Sequence, residues 1–308
     1  MNFLKPKFWH KKFSILSIVT WPISVIFYII VLIRKKYSSP QKFNIPIICI
    51  GNIYIGGTGK TPLSIFISNQ LKHKKKSVII KKFYKEHDDE NRLIKANTSH
   101  LILNKKRIEA IREAQKKKFD LAILDDGFQD YSFFKDLNIL CFNSKQLVGN
   151  NLLFPSGPLR DKFSSLKNAQ IVVKNDKKNN NFEKKILDIS KNINIFYTKY
   201  IPSNIKQFQN KKLLAFAGIG NPENFFDILK ESNLNVQKTL SFPDHYKFNK
   251  IEIQNIIDDS VKNNLQIITT EKDYYRIKDY EFKTIEYLKL EIQMLDKNRF
   301  INRILNCL

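Results

Sequence analysis

The sequence predicts an α/β protein: two α/β domains behind an N-terminal, membrane-associated helix. Three observations lead there. From Phe43 onward short apolar runs alternate with amphipathic segments, a polar surface loop at Lys174–Phe182 marks a rough border region, and an uncharged stretch runs from Phe13 to Ile33. A length of 308 residues suits about two domains, and 43% hydrophobic residues with 12% aromatics exclude a chain disordered throughout. The cysteines, Cys49, Cys141 and Cys307, are odd in number and without paired spacing, which excludes a disulfide scaffold and a Cys-type zinc site and points to a reducing compartment.

The N-terminal stretch lies between Lys11-Lys12 and Arg34-Lys35-Lys36. As one helix it would just match a bilayer core of about 30 Å. No small-x-small cleavage site follows and the next segment is basic, so a removed signal peptide fits poorly. Ser14, Ser17, Thr20, Ser24 and Tyr28 recur every three or four residues and share one face. With a kink expected at Pro22, that stripe favours a bent helix lying against protein or the membrane interface. A plain buried core helix is the alternative.

The first series reads as a nucleotide-binding half. Strands are expected at Pro46–Ile50, Ser77–Ile80, Leu121–Leu124 and Asn138–Phe142, with helices at Thr61–Lys72 and Ile108–Lys117. The second series has strands at Ala169–Val173, Ile195–Tyr200, Leu213–Ala217 and Leu265–Thr269, and helices at Pro222–Lys230 and Lys250–Val261. The expected division is therefore residues 1–40 for the helix and its basic flanks, 41–168 for the first domain and 169–308 for the second, with the last helix able to pack back on the first.

Gly56-Gly57-Thr58-Gly59-Lys60-Thr61 sits directly after a strand and before a helical pattern, the context of a phosphate-binding loop. Gly56, Gly57, Thr58 and Gly59 would turn backbone N–H groups around phosphate oxygens. Lys60 would reach the β/γ-phosphates of a nucleotide, and the Thr61 hydroxyl would sit on Mg²⁺. The strict motif wants glycine where Tyr54 stands, so the loop is a variant, and a simple Gly-rich turn is the alternative. Asp125-Asp126 closes the apolar run Leu121–Leu124 and supplies the carboxylates that a P-loop needs for Mg²⁺, unless the pair is a solvated turn before Gly127.

An excess of 53 Lys plus Arg over 29 Asp plus Glu leaves +24, for which the codon bias of an AT-rich genome, rich in Lys, Asn and Ile, is an alternative origin. Such a charge suits an anionic partner: lipid surface, nucleotide or nucleic acid. A helicase-type acidic box is missing and aromatics do not interleave the basic runs, so no nucleic acid is expected. A membrane-associated switch ATPase of the partitioning type is the alternative reading, weakened because such enzymes carry lysine just before the paired glycines where this chain has Ile55.

Taken together the motifs resemble the tetraacyldisaccharide 4'-kinase family. The resemblance rests on Gly51-Asn52 with Gly56–Pro62, Asp125-Asp126-Gly127-Phe128-Gln129, Gly149-Asn150 with Leu153–Arg160, Phe216–Pro222, Phe242-Pro243-Asp244-His245, and Thr269–Asp273 with Arg276, in the family's order. It implies a P-loop NTPase-like α/β/α domain joined to a smaller α/β domain by a short two-stranded linker. It also implies ATP- and Mg²⁺-dependent phosphorylation of the 4'-hydroxyl of the lipid A disaccharide precursor, at the cytoplasmic face of the bacterial inner membrane and against anionic lipid.

One region departs from that family. Where the family reads Ser-Arg-Gly-Tyr, this chain has Lys81-Lys82-Phe83-Tyr84, and Asp88-Asp89-Glu90-Asn91 replaces Gly-Asp-Glu-Pro after a shortened loop. The resemblance puts the catalytic base on Asp89, or on Asp88 if the loop shifts; the competing reading is a charged exposed loop at Glu86–Arg92. It also gives His245 a role beside that base, either orienting it or hydrogen-bonding the sugar hydroxyl, and makes Lys60 the cation of the transfer step. Arg107, Arg160 and Gln129 are candidates for holding phosphate, nucleotide or substrate, because an Arg fork matches phosphate oxygens.

Overall fold

The computed structural model describes residues 6–11, 13–84, 88–144, 147–244 and 246–308. In chain order the strands are β1 (Ile47–Gly51), β2 (Ser77–Lys82), β3 (Leu101–Asn104), β4 (Leu121–Asp125), β5 (Leu137–Asn143) and β6 (Ile171–Asn175). They continue as β7 (Asn194–Pro202), β8 (Lys212–Ala217), β9 (Asn235–Ser241), β10 (Gln266–Thr270), β11 (Ile285–Leu288) and β12 (Leu290–Met294). The helices are α1 (Ile15–Val19), α2 (Trp21–Lys36), α3 (Lys60–Leu71), α4 (Asp88–Asn97) and α5 (Arg107–Lys116), then α6 (Asn180–Ile189), α7 (Pro222–Glu231), α8 (Lys250–Lys262), α9 (Glu271–Ile277) and α10 (Lys297–Leu305).

The chain divides into two compact units. The larger comprises Lys5–Phe83, Thr98–Tyr200 and Ile292–Leu308, and the smaller includes Tyr84–Asn97 and Ile201–Glu291. In the larger, eight strands follow the order β12-β7-β6-β5-β1-β4-β2-β3, and every pair from β3 through to β7 is parallel. β1 and β4 are buried at every position, which is why both read as unbroken apolar runs: a parallel sheet is covered on both faces. Because β4 returns between β1 and β2 while β5 takes the other side of β1, the C-terminal ends of β1 and β4 lie side by side, with Ile50 in register with Asp125. Open α/β sheets bind ligands at such strand ends.

The boundary expected at 168/169 is displaced. β6 hydrogen-bonds to β5, and β7 to β6, so the larger sheet continues well past residue 168. Val172 is fully buried and joins the same core as Phe142 and Leu124, which explains why these strands extend that sheet. The last helix does belong to the larger unit: Phe300 of α10 packs on Phe66 and Phe196 at centroid separations of 6.4 and 5.1 Å. Residues 1–40 are likewise no separate body, since the described part of the N-terminal segment falls in the larger unit.

The uncharged N-terminal stretch forms two helices rather than one bent one. Thr20 caps both α1 and α2, and Pro22 sits in the first turn of α2, where its missing N–H costs nothing, so it starts a helix instead of kinking one. No helix among the described residues is long and apolar enough to cross a membrane. The polar stripe does face protein. Ser24 Oγ donates to the Leu153 carbonyl and to Ser156 Oγ, both at 2.9 Å, Thr20 Oγ1 lies 3.0 Å from Ser156 Oγ, and Asn150 Nδ2 reaches Ser17 Oγ at 3.3 Å. Trp9, almost fully buried, donates its indole N–H to the Pro155 carbonyl at 2.9 Å.

The smaller unit is a four-stranded parallel sheet, β11-β10-β8-β9. Phe216 and Phe248 pack on the α8 side with Ile253 and Ile257, and Phe225, Phe226 and Leu229 of α7 cover the other face. Its helices start on side-chain caps: Asn249 and Glu252 form a reciprocal capping box on α8, and Thr270 accepts from Asp273 N on α9. In the larger unit α6, capped by Asn179, begins inside the segment expected as a polar loop.

Phe142 tests the larger core. It is fully buried, with Tyr54 and Phe182 at ring distances of 5.8 and 5.0 Å. Phe142→Ala is expected to lose about 3–5 kcal/mol, read as a lower urea midpoint for the unit's unfolding.

Candidate active site

The loop from Asn52 to Gly59 joins β1 to α3, and its shape follows from its glycines and from Asn52. Gly59 has φ +81°, a left-handed conformation costly for other residues, and a Cβ there would run into the Tyr200 hydroxyl. Gly56 also has positive φ, 132°. Asn52 Nδ2 holds the loop from inside, donating to Thr58 Oγ1 at 3.2 Å and to the Gly56 carbonyl at 3.4 Å. Tyr54 occupies the place of the missing motif glycine as a core anchor: it is fully buried, and its hydroxyl accepts from Asn143 N at 2.6 Å. The first turn of α3 then directs its orphan N–H groups and partial positive charge to the loop.

At the end of β4 the two acids divide their work. Asp125 is 1% exposed; its Oδ2 accepts from Thr61 Oγ1 at 2.8 Å and from Lys81 Nζ at 2.8 Å, and its Oδ1 lies 3.5 Å from Ser64 Oγ. Asp126, at φ +62°, turns away from the strand. Lys60 Nζ lies 3.9 Å from its Oδ1, and both terminal nitrogens of Arg160 lie 3.3 Å from its carboxylate. Burial alone would raise the Asp126 carboxyl, but Lys60, Arg160 and Arg107 outweigh it and hold the group well below the usual carboxylate range.

Arg107 and Arg160 brace this corner. Arg107 donates to the Asp126 carbonyl and, at 3.1 Å, to Asp130 Oδ2. Arg160 also donates to Asn52 Oδ1, tying the acid pair to the loop. Gln129 Nε2 donates to the Asn52 carbonyl at 2.8 Å, a second brace on the same residue. Gly56, Gly57, Thr58, Gly59, Lys60, Thr61, Asp125, Asp126, Arg107, Arg160 and Gln129 thus gather at one corner of the larger unit.

The remaining candidates belong to the smaller unit. Asp89 on α4 is 4% exposed, and Arg276 Nε and Nη2 both donate to its Oδ2, at 2.9 and 2.6 Å. Asp88 points outward, 60% exposed, with Arg92 Nε at 2.7 Å. The segment after Asp88 is a helix, not the open charged loop that was the competing expectation. Arg276 also contacts Asp273 Oδ1 at 2.5 Å and the Gly218 carbonyl at 2.6 Å, while Gly218 N donates to Asp273 Oδ2 at 2.9 Å. Burial pushes the Asp273 carboxyl up despite that cation. His245 lies outside the described residues.

Sequence reasoning missed three groups at the larger unit's corner: Asn52, Ser64 and Lys81. Lys81 carried a signal, a lysine continuing the buried run Ser77–Ile80, which only an acidic neighbour could compensate.

The corner brings together the groups that phosphate holding requires: glycine-shaped backbone, a helix start, Lys60 and Arg160. Its acid-side stability can be measured. A carboxyl depressed in the folded state stabilises the fold above its ordinary value of about 4 and loses that contribution as the pH falls toward the depressed value. Arg160→Ala raises Asp126 toward the unfolded value, so the drop in thermal midpoint between about pH 7 and about pH 3 is expected to be smaller in the variant than in the wild type.

Three comparisons bear on this geometry. The family described as tetraacyldisaccharide-1-P 4'-kinase (LpxK) matches residues 16–90 and 81–308. The tetraacyldisaccharide 4'-kinase of Pelagibacter ubique is 42% identical, covering 99% of this chain and 98% of that protein; that of Rickettsia canadensis is 31% identical over 99% and 97%. The crystal structure of "apo" form LpxK from Aquifex aeolicus, in complex with ATP, superposes with a TM-score of 0.74 at 22% identity, covering 95% of this chain and 99% of that one. With that fold and relatives matched along nearly the whole chain, the protein belongs to the tetraacyldisaccharide 4'-kinase family.

Proposed function

We propose that this protein is an ATP- and Mg²⁺-dependent kinase that phosphorylates the 4'-hydroxyl of the tetraacyldisaccharide 1-phosphate precursor of lipid A. The observation that carries the reading is the β1–loop–α3 unit with Thr61 hydrogen-bonded to Asp125 at 2.8 Å, in a chain of this family. Magnesium is commonly held by one or two carboxylates plus nucleotide phosphates, not by an all-protein cage. Thr61, Asp125 and Asp126 fit that donor set, and no cluster of three His, Cys, Asp or Glu suited to a metal occurs among the described residues. The bound ion would neutralise charge on the transferring phosphoryl group.

The loop N–H groups and Lys60 cradle the phosphates, and Lys60 meets the charge that develops on transfer. Arg160 and Arg107 hold Asp126 ionised and aimed at the loop. We assign proton removal from the sugar hydroxyl to Asp89, with His245 as its partner. Support comes from the motif match and from Arg276, which holds the buried carboxylate by one oxygen while Asp88 faces outward. A partitioning-type switch ATPase finds no such support, since the relatives matched along the whole chain are kinases.

The assay is γ-labelled ATP with the disaccharide 1-phosphate lipid. Label is expected in the lipid; ATP hydrolysis stimulated by vesicles without lipid labelling would favour the switch ATPase. Lys60→Ala is expected to lower kcat by about 10²–10³ with the thermal midpoint nearly unchanged. Asp125→Asn should lose both turnover and stability, because the buried Lys81 ammonium would lose the carboxylate charge 2.8 Å from it. Asp89→Asn should depress kcat much more than it raises KM; a lower melting point with wild-type kcat would make Asp89 a structural ion-pair partner only.

The inverted faces of α1 and α2 support a reading of membrane association. Ser17 and Ser24 point into the protein, while Phe13, Ile15 and Val19 are 86, 79 and 67% exposed, and Trp21, Ile26 and Ile30 continue the outward face. Arg34, Lys35 and Lys36 end α2, placing cations beside that face. An apolar surface with a basic edge suits a helix pair lying in the interface of an anionic bilayer, at the cytoplasmic face where the lipid substrate resides. The triple variant Ile15→Asp, Ile26→Asp, Ile30→Asp should stop floating with anionic vesicles at high salt; unchanged flotation would remove the helices from the anchoring role.

A further inference from the structure

The phosphate corner contains a buried ammonium for which phosphate binding offers no use. Lys81 stands in register with Asp125 across the β2–β4 pair. Its side chain is 7% exposed, and Nζ lies 2.8 Å from Asp125 Oδ2. Thr61 Oγ1 reaches that same oxygen, also at 2.8 Å. The carboxylate expected to hold a divalent cation together with Thr61 therefore already holds a monovalent one, supplied by the neighbouring strand.

We propose that Lys81 is a positioning residue that keeps free divalent cations out of the site until nucleotide arrives. The inference rests on the kinase reading above. Among the described residues, Lys60, Lys81, Arg107 and Arg160 lie against the carboxylates Asp125, Asp126 and Asp130, and it is Lys81 that sits on the Asp125 oxygen. A dication coming to Asp125 alone meets the Lys81 ammonium at the oxygen it must approach, and like charges a few Å apart in a poorly hydrated site repel strongly. Triphosphate oxygens bring negative charge that offsets the ammonium. Metal already chelated by nucleotide can then be accepted, with Lys81 holding Asp125 turned toward Thr61. Lys81 thereby makes the site selective for the metal–nucleotide complex over free metal.

The test uses Mn²⁺ as a paramagnetic stand-in for Mg²⁺, with the full chain in detergent and binding followed by the loss of the free-ion resonance. Wild-type protein is expected to bind Mn²⁺ appreciably only when a non-hydrolysable ATP analogue is present. Lys81→Met is expected to bind nucleotide-free Mn²⁺ tighter by roughly tenfold or more, because one like charge has been removed from contact distance. Lys81→Arg, which keeps the charge, should restore wild-type behaviour. Equal nucleotide-free affinity in wild type and Lys81→Met would overturn the proposal. So would tight nucleotide-free binding by wild type, a result that needs no variant to fold. The readout involves no lipid acceptor: failure to label the disaccharide lipid would sink the kinase reading and leave the Mn²⁺ comparison standing.

Discussion

The carboxylate of Asp125 is the constraint on which the active corner depends. It is buried at the end of a central strand, and a charge there is tolerated only with donors on it. α3 supplies Thr61 and, at longer range, Ser64, and β2 supplies Lys81. Satisfying this one group therefore fixes the start of α3 against β4 and β2 and, with it, the direction in which the glycine loop faces. Asp126, one residue on, takes a left-handed turn out of the strand and gathers Lys60, Arg107 and Arg160. Asp125 acts as the inward, structural acid and Asp126 as the outward, electrostatic one, a division that follows from the alternation of side chains along a strand and the break at its end.

In the smaller unit Arg276 has the comparable place. One guanidinium meets Asp89 on α4, Asp273 on its own helix and the carbonyl of Gly218 after β8. The planar fork of arginine suits this, because its donors leave in several fixed directions from a single buried group. The Gly218 turn, Asp273 and Asp89 are thereby held to one point, and Lys272 beside them pairs with Glu90. α4 follows a strand of the larger unit in sequence yet belongs to the smaller unit, where Asp89 and Glu90 are compensated.

Much of this was legible in the sequence. Runs such as Leu121–Leu124 and Leu213–Ala217 read as strands because their residues are buried on both faces and leave no polar alternation to confuse the pattern. The glycine loop, Thr61 and the acid pair were recognisable because phosphate and magnesium chemistry requires those residue types in that order. What escaped had weaker local signals. β9 has mostly exposed side chains at a sheet edge, so its apolar content is low. The domain border at 168/169 failed because β6 and β7 are apolar strands like any others, and nothing local says which sheet a strand will join. Pro22 was read as a kink because its place relative to a helix start depends on Thr20, a residue without a strong stop signal. Lys81 was seen only as a departure from a family pattern, since its partner lies 44 residues away in sequence.

The loop that receives the N-terminal helices also adjoins the glycine loop. Ser156, where Ser24 and Thr20 are fastened, is four residues before Arg160, which grips Asp126 and Asn52. Between them the chain is pinned again, with Ile55 N donating to the Pro158 carbonyl at 2.8 Å and Arg160 N to the Ile53 carbonyl at 2.8 Å. This stretch is a short connection, hydrogen-bonded at one end to the helices and at the other to the glycine loop. Arg160, one of the cations that pair with Asp126, therefore stands only four residues along the chain from the fastening point of α2.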